Sequence, residues 1–284
     1  MRTILSLALF VAAPAMRPGE LPKPTATYDL PAQLTEVSGL TELDAHSVAC
    51  LQDEEAVLYI VDLHSGRIRE RFPFGPPGDM EGLTRVGDTF FALRSDGLIY
   101  TLQRQAGRYV ASDSFRVEIG HDNIEGLAFD ERMDRVLIAP KDVPKGEKAL
   151  RDQREVFAFD RATRTLLPQP VLSFSVEEVV RQAAAKGIAL PTRTTPKGRE
   201  VSALKLRLAS VAVDPISDHY FLLSAVDRTL LVLDRNGAFV DLFLLNAALL
   251  PKPEGITFLP NGDLIITSEG KGTPPRLVRY PAFK

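Results

Sequence analysis

The 284-residue chain has no tryptophan, one cysteine and four histidines. A lone cysteine excludes an internal disulfide, a Cys-x-x-Cys redox pair and a thiolate zinc site. Cys50 lies in the apolar stretch Ser47–Leu51 and reads as core. The histidines are dispersed, and no Gly-x-Ser-x-Gly elbow, Walker loop or His-Glu-x-x-His motif occurs. Ser202-Ala203-Leu204-Lys205 fits Ser-x-x-Lys, but its companion motifs are missing, so chance explains it. Basic charge is not in excess either: 34 Lys and Arg stand against 37 Asp and Glu, for a net charge of -3. Nucleic acid and anionic membrane are therefore not expected partners.

Long apolar runs are also missing, except at the start. Residues 1–15 combine Arg2, an apolar run and the ending Ala13-Pro14-Ala15. This is the pattern of a secretory signal cleaved after Ala15, and it is too short to span a bilayer. The expectation is a periplasmic or secreted protein without membrane insertion after cleavage. A Pro-rich extended leader over 16–24 and one domain over 25–284 would follow.

What the chain does contain is a repeat. Asn123-Ile124-Glu125-Gly126-Leu127 has near-copies around Gly39, Gly82, Ser210 and Gly255, at steps of 43, 44, 84 and 45 residues. Each copy leads into an apolar strand, a polar cluster and a second apolar strand. That period, with four short strands per unit, predicts an all-β, five-bladed β-propeller. Ala26–Leu30 has strand character and the last unit shows only three strands, so the N-terminal strand is expected to close the last blade. The long step contains a charged loop at 141–154 and an insertion over 175–200. Within the insertion, Ser175 and Glu178 have capping-box spacing and Gly187 marks the end of a short helix.

Propeller geometry brings two polar clusters to one end of the central channel. One precedes the inner strands: Asp79, Glu81, Asp122, Asn123, Glu125 and Glu254. The other follows the second strands: Gln52-Asp53-Glu54, Arg94-Ser95-Asp96, Lys141-Asp142, Ser224 with Asp227, and Ser268-Glu269. Carboxylates aimed at one axis repel unless a cation, a bound proton or basic side chains such as Arg94 and Lys141 compensate them. Oxygen ligands without a Cys or His cluster suit Ca²⁺, and Glu81, Glu125 and Glu254 are the metal-ligand candidates. Gln52, Glu54, Arg94, Lys141 and Glu269 are candidates for binding a ligand. Asp53, Asp96 and His121 are the candidates for a catalytic base, should there be one.

The order and spacing of Glu36-Val37-Ser38-Gly39-Leu40, Gly78-Asp79-Met80-Glu81-Gly82, Leu93-Arg94-Ser95-Asp96-Gly97, Pro253-Glu254-Gly255-Ile256 and Ser268-Glu269-Gly270 resemble the SdiA-regulated family of bacterial β-propellers, itself distantly like the NHL-repeat propellers. The resemblance implies five blades, export, and a calcium ion near the axis on one face. It carries the calcium role to Glu81, Glu125 and Glu254. Ser38 and Ser210 depart from the pattern, because units one and four lack that glutamate, so the coordination would be lopsided. The leading expectation is an exported calcium-binding propeller, monomeric, that binds a small molecule or a protein partner at its acidic mouth. The alternatives are a calcium-dependent hydrolase of phosphoesters or lactones, with Arg94, Lys141 and Lys271 holding an anion, and a scaffold acting through a flat face or the 176–186 helix.

Overall fold

The computed structural model describes residues 18–143 and 151–283. The expected signal over 1–15 and the first residues of the expected leader lie outside the described residues. Strand β1 (Ala26–Asp29) comes first. Blade one holds β2 (Val37–Asp44), β3 (Ser47–Gln52), β4 (Glu55–Asp62) and β5 (Ile68–Pro73). Blade two holds β6 (Met80–Val86), β7 (Thr89–Arg94), β8 (Leu98–Gln105) and β9 (Arg108–Arg116). Blade three holds β10 (Ile124–Asp130), β11 (Arg135–Pro140), β12 (Gln153–Asp160) and β13 (Leu172–Ser175). Helix α1 (Val176–Ala185) and a hairpin of β14 (Thr192–Thr194) and β15 (Glu200–Ser202) fill the insertion. Blade four holds β16 (Leu208–Val213), β17 (Tyr220–Ser224), β18 (Thr229–Leu233) and β19 (Phe239–Leu244). Blade five holds β20 (Pro253–Phe258), β21 (Leu264–Ser268) and β22 (Arg276–Tyr280).

Every blade is an antiparallel four-stranded meander, and β1 pairs with β22 to complete the fifth. The expected closure is therefore present, and joining the two chain ends removes the open edge that a three-stranded last blade would leave. The inner strands β2, β6, β10, β16 and β20 pack side by side around the axis. Between blades lie separate apolar layers, such as Leu30, Val48, Tyr59 and Ile265 between blades five and one.

Two local features shape the channel. The repeated glycine lets neighbouring inner strands touch: a Cβ on Gly82 would sit 2.7 Å from the Glu125 carbonyl oxygen, and one on Gly255 would sit 2.6 Å from that of Ser38. The second is a β-bulge. Each inner strand slips register immediately before that position, between Met80 and Gly82, Ile124 and Gly126, Leu208 and Ser210, Pro253 and Gly255, and Val37 and Leu40. The skipped residues include Glu81, Glu125 and Glu254. A bulged residue leaves the ladder and its side chain is re-aimed, so the glutamates are freed from the pleat at the strand entry.

Helix α1 begins as its spacing predicts, with Ser175 Oγ accepting the Glu178 N–H at 3.1 Å. Its buried face, Val176, Val179 and Ala183, joins Leu172, Phe174 and Leu242 in one apolar cluster, and its strand contacts are to β13 and β19. It therefore sits on the outer rim between blades three and four and does not cover the channel. The stretch after it forms the β14–β15 hairpin, a pairing with no alternation of apolar residues to announce it. Cys50 is buried as expected, and burial pushes its thiol up to about 12. Among the described residues no helix is long and apolar enough to cross a membrane.

Candidate cation and ligand site at the acidic mouth

The inner strands begin at one face, and the turns between second and third strands return there, so the two polar clusters do meet. Glu125 and Glu254 are buried, at 3% and 8% exposure, at the bulges of β10 and β20. Each is answered by a lysine: Lys141 pairs with Glu125, while Lys252 Nζ lies 3.1 Å from Glu254 and 2.6 Å from Glu269. Glu81, at the third bulge, makes no ion pair or side-chain hydrogen bond among the described residues. Burial, then the charges of Glu125 and Asp79, push its carboxyl up to about 9. Burial likewise raises Glu125 to about 7 against the opposing pull of Lys141. Lys141 is partly desolvated, but Glu125, Glu254 and Glu81 together hold its ammonium charged more firmly than usual.

A second carboxylate group lies beside the axis, on blade one. Glu36, Asp53 and Glu54 each present an oxygen within 4.8 Å of the others. Asp53 is held by its backbone, whose N–H donates to the Glu36 carbonyl at 3.1 Å and whose carbonyl accepts from Met80 at 2.8 Å. Its Oδ1 is buried without a hydrogen-bond partner. Burial, Glu36 and Glu269 push the Asp53 carboxyl up to about 7. None of the three forms an ion pair with a basic side chain among the described residues.

The remaining candidates are engaged elsewhere. Gln52 Oε1 accepts the Glu54 N–H at 3.0 Å, which makes it part of the turn. Arg94 and Arg116 grip Asp96 at 2.7 and 3.1 Å, and the Arg94 bond above all holds that carboxyl below the usual range. His121 donates from Nδ1 to the Asp142 carbonyl at 2.5 Å and packs edge-on to Phe157, so it serves the 140–143 turn. Of the two candidate carboxylate bases, Asp53 is pushed upward by burial and its acidic neighbours, and Asp96 is held down by Arg94 and Arg116. Sequence reasoning missed Glu36 and Lys252. The signal for Glu36 was its place one residue before β2, where blade one carries an acid just outside the bulge that Ser38 occupies. Lys252 stood two residues before Glu254, in Pro251-Lys252-Pro253-Glu254.

A family model, SdiA-regulated, matches residues 28–272. The chain belongs to the SdiA-regulated family. No functionally curated protein matches it. Among solved structures it is similar to the glutaminyl cyclase of Myxococcus xanthus, with a TM-score of 0.59 at 13% identity over 90% of this chain and 94% of that one. It is also similar to the PQQ-bound aldose sugar dehydrogenase of Streptomyces coelicolor, with a TM-score of 0.58 at 12% identity over 93% and 99% of the two chains. At such identities these likenesses establish the propeller fold alone, since one fold hosts many unrelated activities.

Proposed function

We propose that this member of the SdiA-regulated family is an exported calcium-binding propeller whose acidic mouth receives a ligand or partner. The observation that carries it is the group Glu36, Asp53 and Glu54. Calcium takes six to eight oxygens at roughly 2.3–2.6 Å, so oxygens within 4.8 Å of one another can share one ion as they stand. The buried, unpartnered Asp53 Oδ1 is a ligand atom in want of a cation. Hard oxygen donors without sulfur or imidazole suit the same ion.

The axial glutamates fit differently. Glu125 and Glu254 already have lysine partners, so an ion there would displace Lys141. We therefore assign the ion to blade one, with Glu81, Glu125, Glu254, Lys141 and Lys252 forming the wall that a ligand meets. Bound calcium would supply a fixed positive charge to hold the turns of blade one and to attract an oxygen ligand. Export rests on the 1–15 segment and is checked by sequencing the N-terminus of the periplasmic protein. Calorimetric titration with CaCl₂ tests the site. Asp53→Asn and Glu54→Gln should each weaken binding at least tenfold while Glu81→Gln leaves it within twofold. The reverse ranking would move the ion to the axis, and a flat titration of the wild type would remove calcium altogether.

A further inference from the structure

At the face away from the acidic mouth blade one turns twice, from β2 to β3 and from β4 to β5, and each turn carries a histidine. Two of the chain's four histidines meet there: the ring centroids of His46 and His64 lie 5.2 Å apart, with the planes tilted by 43°. Both residues are exposed, and neither ring forms a hydrogen bond or ion pair among the described residues. The two turns are fixed. Asp44 Oδ1 accepts the His46 N–H at 2.7 Å, Asp62 Oδ1 accepts the His64 N–H at 3.0 Å, and the Leu63 N–H donates to the His46 carbonyl at 2.8 Å. Asp44 and Asp62 flank Ser47 in the strand register, so a carboxylate accompanies each imidazole. The Ser65 hydroxyl above all holds the Asp62 carboxyl below its usual range. Burial opposes the ionisation of Asp44, but the His46 N–H and Ser47 outweigh it and hold that carboxyl low as well.

The spacing of the rings is that of two ligands on one ion. A zinc–nitrogen bond of about 2.0–2.1 Å puts the metal roughly 3.2 Å from each ring centroid, and a tetrahedral angle at the metal then sets the centroids about 5.2 Å apart. Cis ligands of a square-planar ion, at a right angle, would bring them to about 4.5 Å. We propose that His46 and His64 form a binding site for a divalent transition metal, zinc by its spacing, that clasps the two turns of blade one. Imidazole suits this class of ion, and two ionised aspartates beside the rings favour a dication over a proton-like monovalent charge. Among the described residues the only group of three or more ligand atoms close enough to share an ion is Glu36, Asp53 and Glu54, so the histidines contribute two ligands and the other positions are open to water. This site is on the opposite face from the acidic mouth and differs from it in donor chemistry, imidazole nitrogen against carboxylate oxygen. It does not depend on the calcium reading.

Calorimetric titration with ZnCl₂ in buffer containing 1 mM CaCl₂ tests the site. The wild-type chain should bind zinc saturably. His46→Asn and His64→Asn, both at exposed turn positions, should each weaken that binding at least tenfold, because either change leaves a single imidazole. His121→Asn and His219→Asn should leave it within twofold, which separates the pair from histidines in general. Zinc should also raise the melting temperature of the wild type and of His219→Asn but not of His64→Asn, since only a bridged pair ties the two turns together. The CaCl₂ titration of His46→Asn and His64→Asn should match that of the wild type. No saturable zinc binding, or zinc binding that survives both His46→Asn and His64→Asn, would overturn the proposal. Zinc binding lost instead on Asp53→Asn would also overturn it and place the ion among the carboxylates of the acidic mouth.

Discussion

The two mouths of the channel are built by the same five strands, yet they balance charge differently. Where the strands start, carboxylates crowd the axis and two lysines answer them; where they end, Arg85, Arg132 and Arg235 stand among Glu42, Glu131, Asp214 and Asp218 around a cavity of about 670 Å³. The difference follows from position within one repeat. The residue before the glycine is bulged out of the ladder and faces the entry, and the residue after it (Leu40, Leu83, Leu127, Val211 or Ile256) is buried in the apolar layer between blades. Beyond it the strand ends line the cavity, and their residue types differ from blade to blade. Within three residues each blade thus passes from the acidic entry to the opposite end of the channel.

Breaking the wall between the mouths should have the largest effect. In Gly82→Ala the new Cβ would lie 2.7 Å from the Glu125 carbonyl oxygen and 2.8 Å from the Leu127 Cβ, so backbone must move. We expect a loss of about 3 kcal/mol in urea unfolding, the upper range for overpacking. Ser210→Gly is the contrast. There the side chain is already accommodated, with Oγ 3.4 Å from the Ile256 N–H, and its removal should cost about 1 kcal/mol or less.

Next come the buried charges, one at each end. Asp130 is fully buried at the exit end, 3.0 Å from Arg135 and 2.8 Å from Arg235, and Asp130→Ala leaves Arg135 with only the Tyr220 hydroxyl while Arg235 keeps Asp218. Lys141→Met takes the lysine from Glu125 at the entry. Each should cost about 3 kcal/mol in calcium-free buffer, because removing one partner leaves a buried charge uncompensated. Calcium should not rescue Asp130→Ala. Rescue of Lys141→Met by 1 mM calcium would mean that the ion can take the lysine's place at the axis. No rescue keeps it on blade one.

The propeller was legible in the sequence because its evidence repeats: five spaced motifs, apolar strands of even length and a missing last strand each point to the same closure. The insertion helix was legible from its cap. The site was legible only as a neighbourhood. Glu81, Glu125 and Glu254 were identifiable because they share a repeat position, and the bulge that aims them has no signature beyond the glycine that follows. Glu36 and Lys252 stand three residues before the repeated glycine, at the position of Asp79 and Asn123, but the residue type there changes from blade to blade, so periodicity could not single them out. The pairing of Lys141 with Glu125 was one of several compensations the sequence allowed, and only the path of the 141–143 turn selects it. The exit cavity left no sequence signal, since its walls are ordinary strand residues and its existence depends on how tightly five strands close.

A further effect comes from pH. Glu81 has a folded-state value of about 9, above its ordinary value of 4.5, chiefly through burial. A carboxyl shifted upward stabilises the fold fully below its unfolded value, and that contribution is lost as pH rises toward the folded one. The calcium-free protein should therefore lose urea stability between about pH 5 and pH 9, and Glu81→Gln should flatten the curve. An unchanged slope would mean that the carboxylate is compensated at the entry after all.

The smallest effect has the opposite sign. Asp96, beside the same mouth, is held below its ordinary value of 3.8 first by Arg94 and then by Arg116. Its contribution is present above that value and lost as pH falls, so acid weakens it where acid relieves Glu81. The Asp96 side chain is 45% exposed, and water and salt screen the pair. Arg94→Ala should therefore cost less than about 1 kcal/mol at pH 7 and progressively less as pH falls below 3.8, with 0.5 M NaCl erasing most of the difference. If it instead cost as much as Lys141→Met, Arg94 would be compensating the buried acids of the mouth as well as Asp96. The two lysines would then no longer be the whole compensation of Glu125 and Glu254.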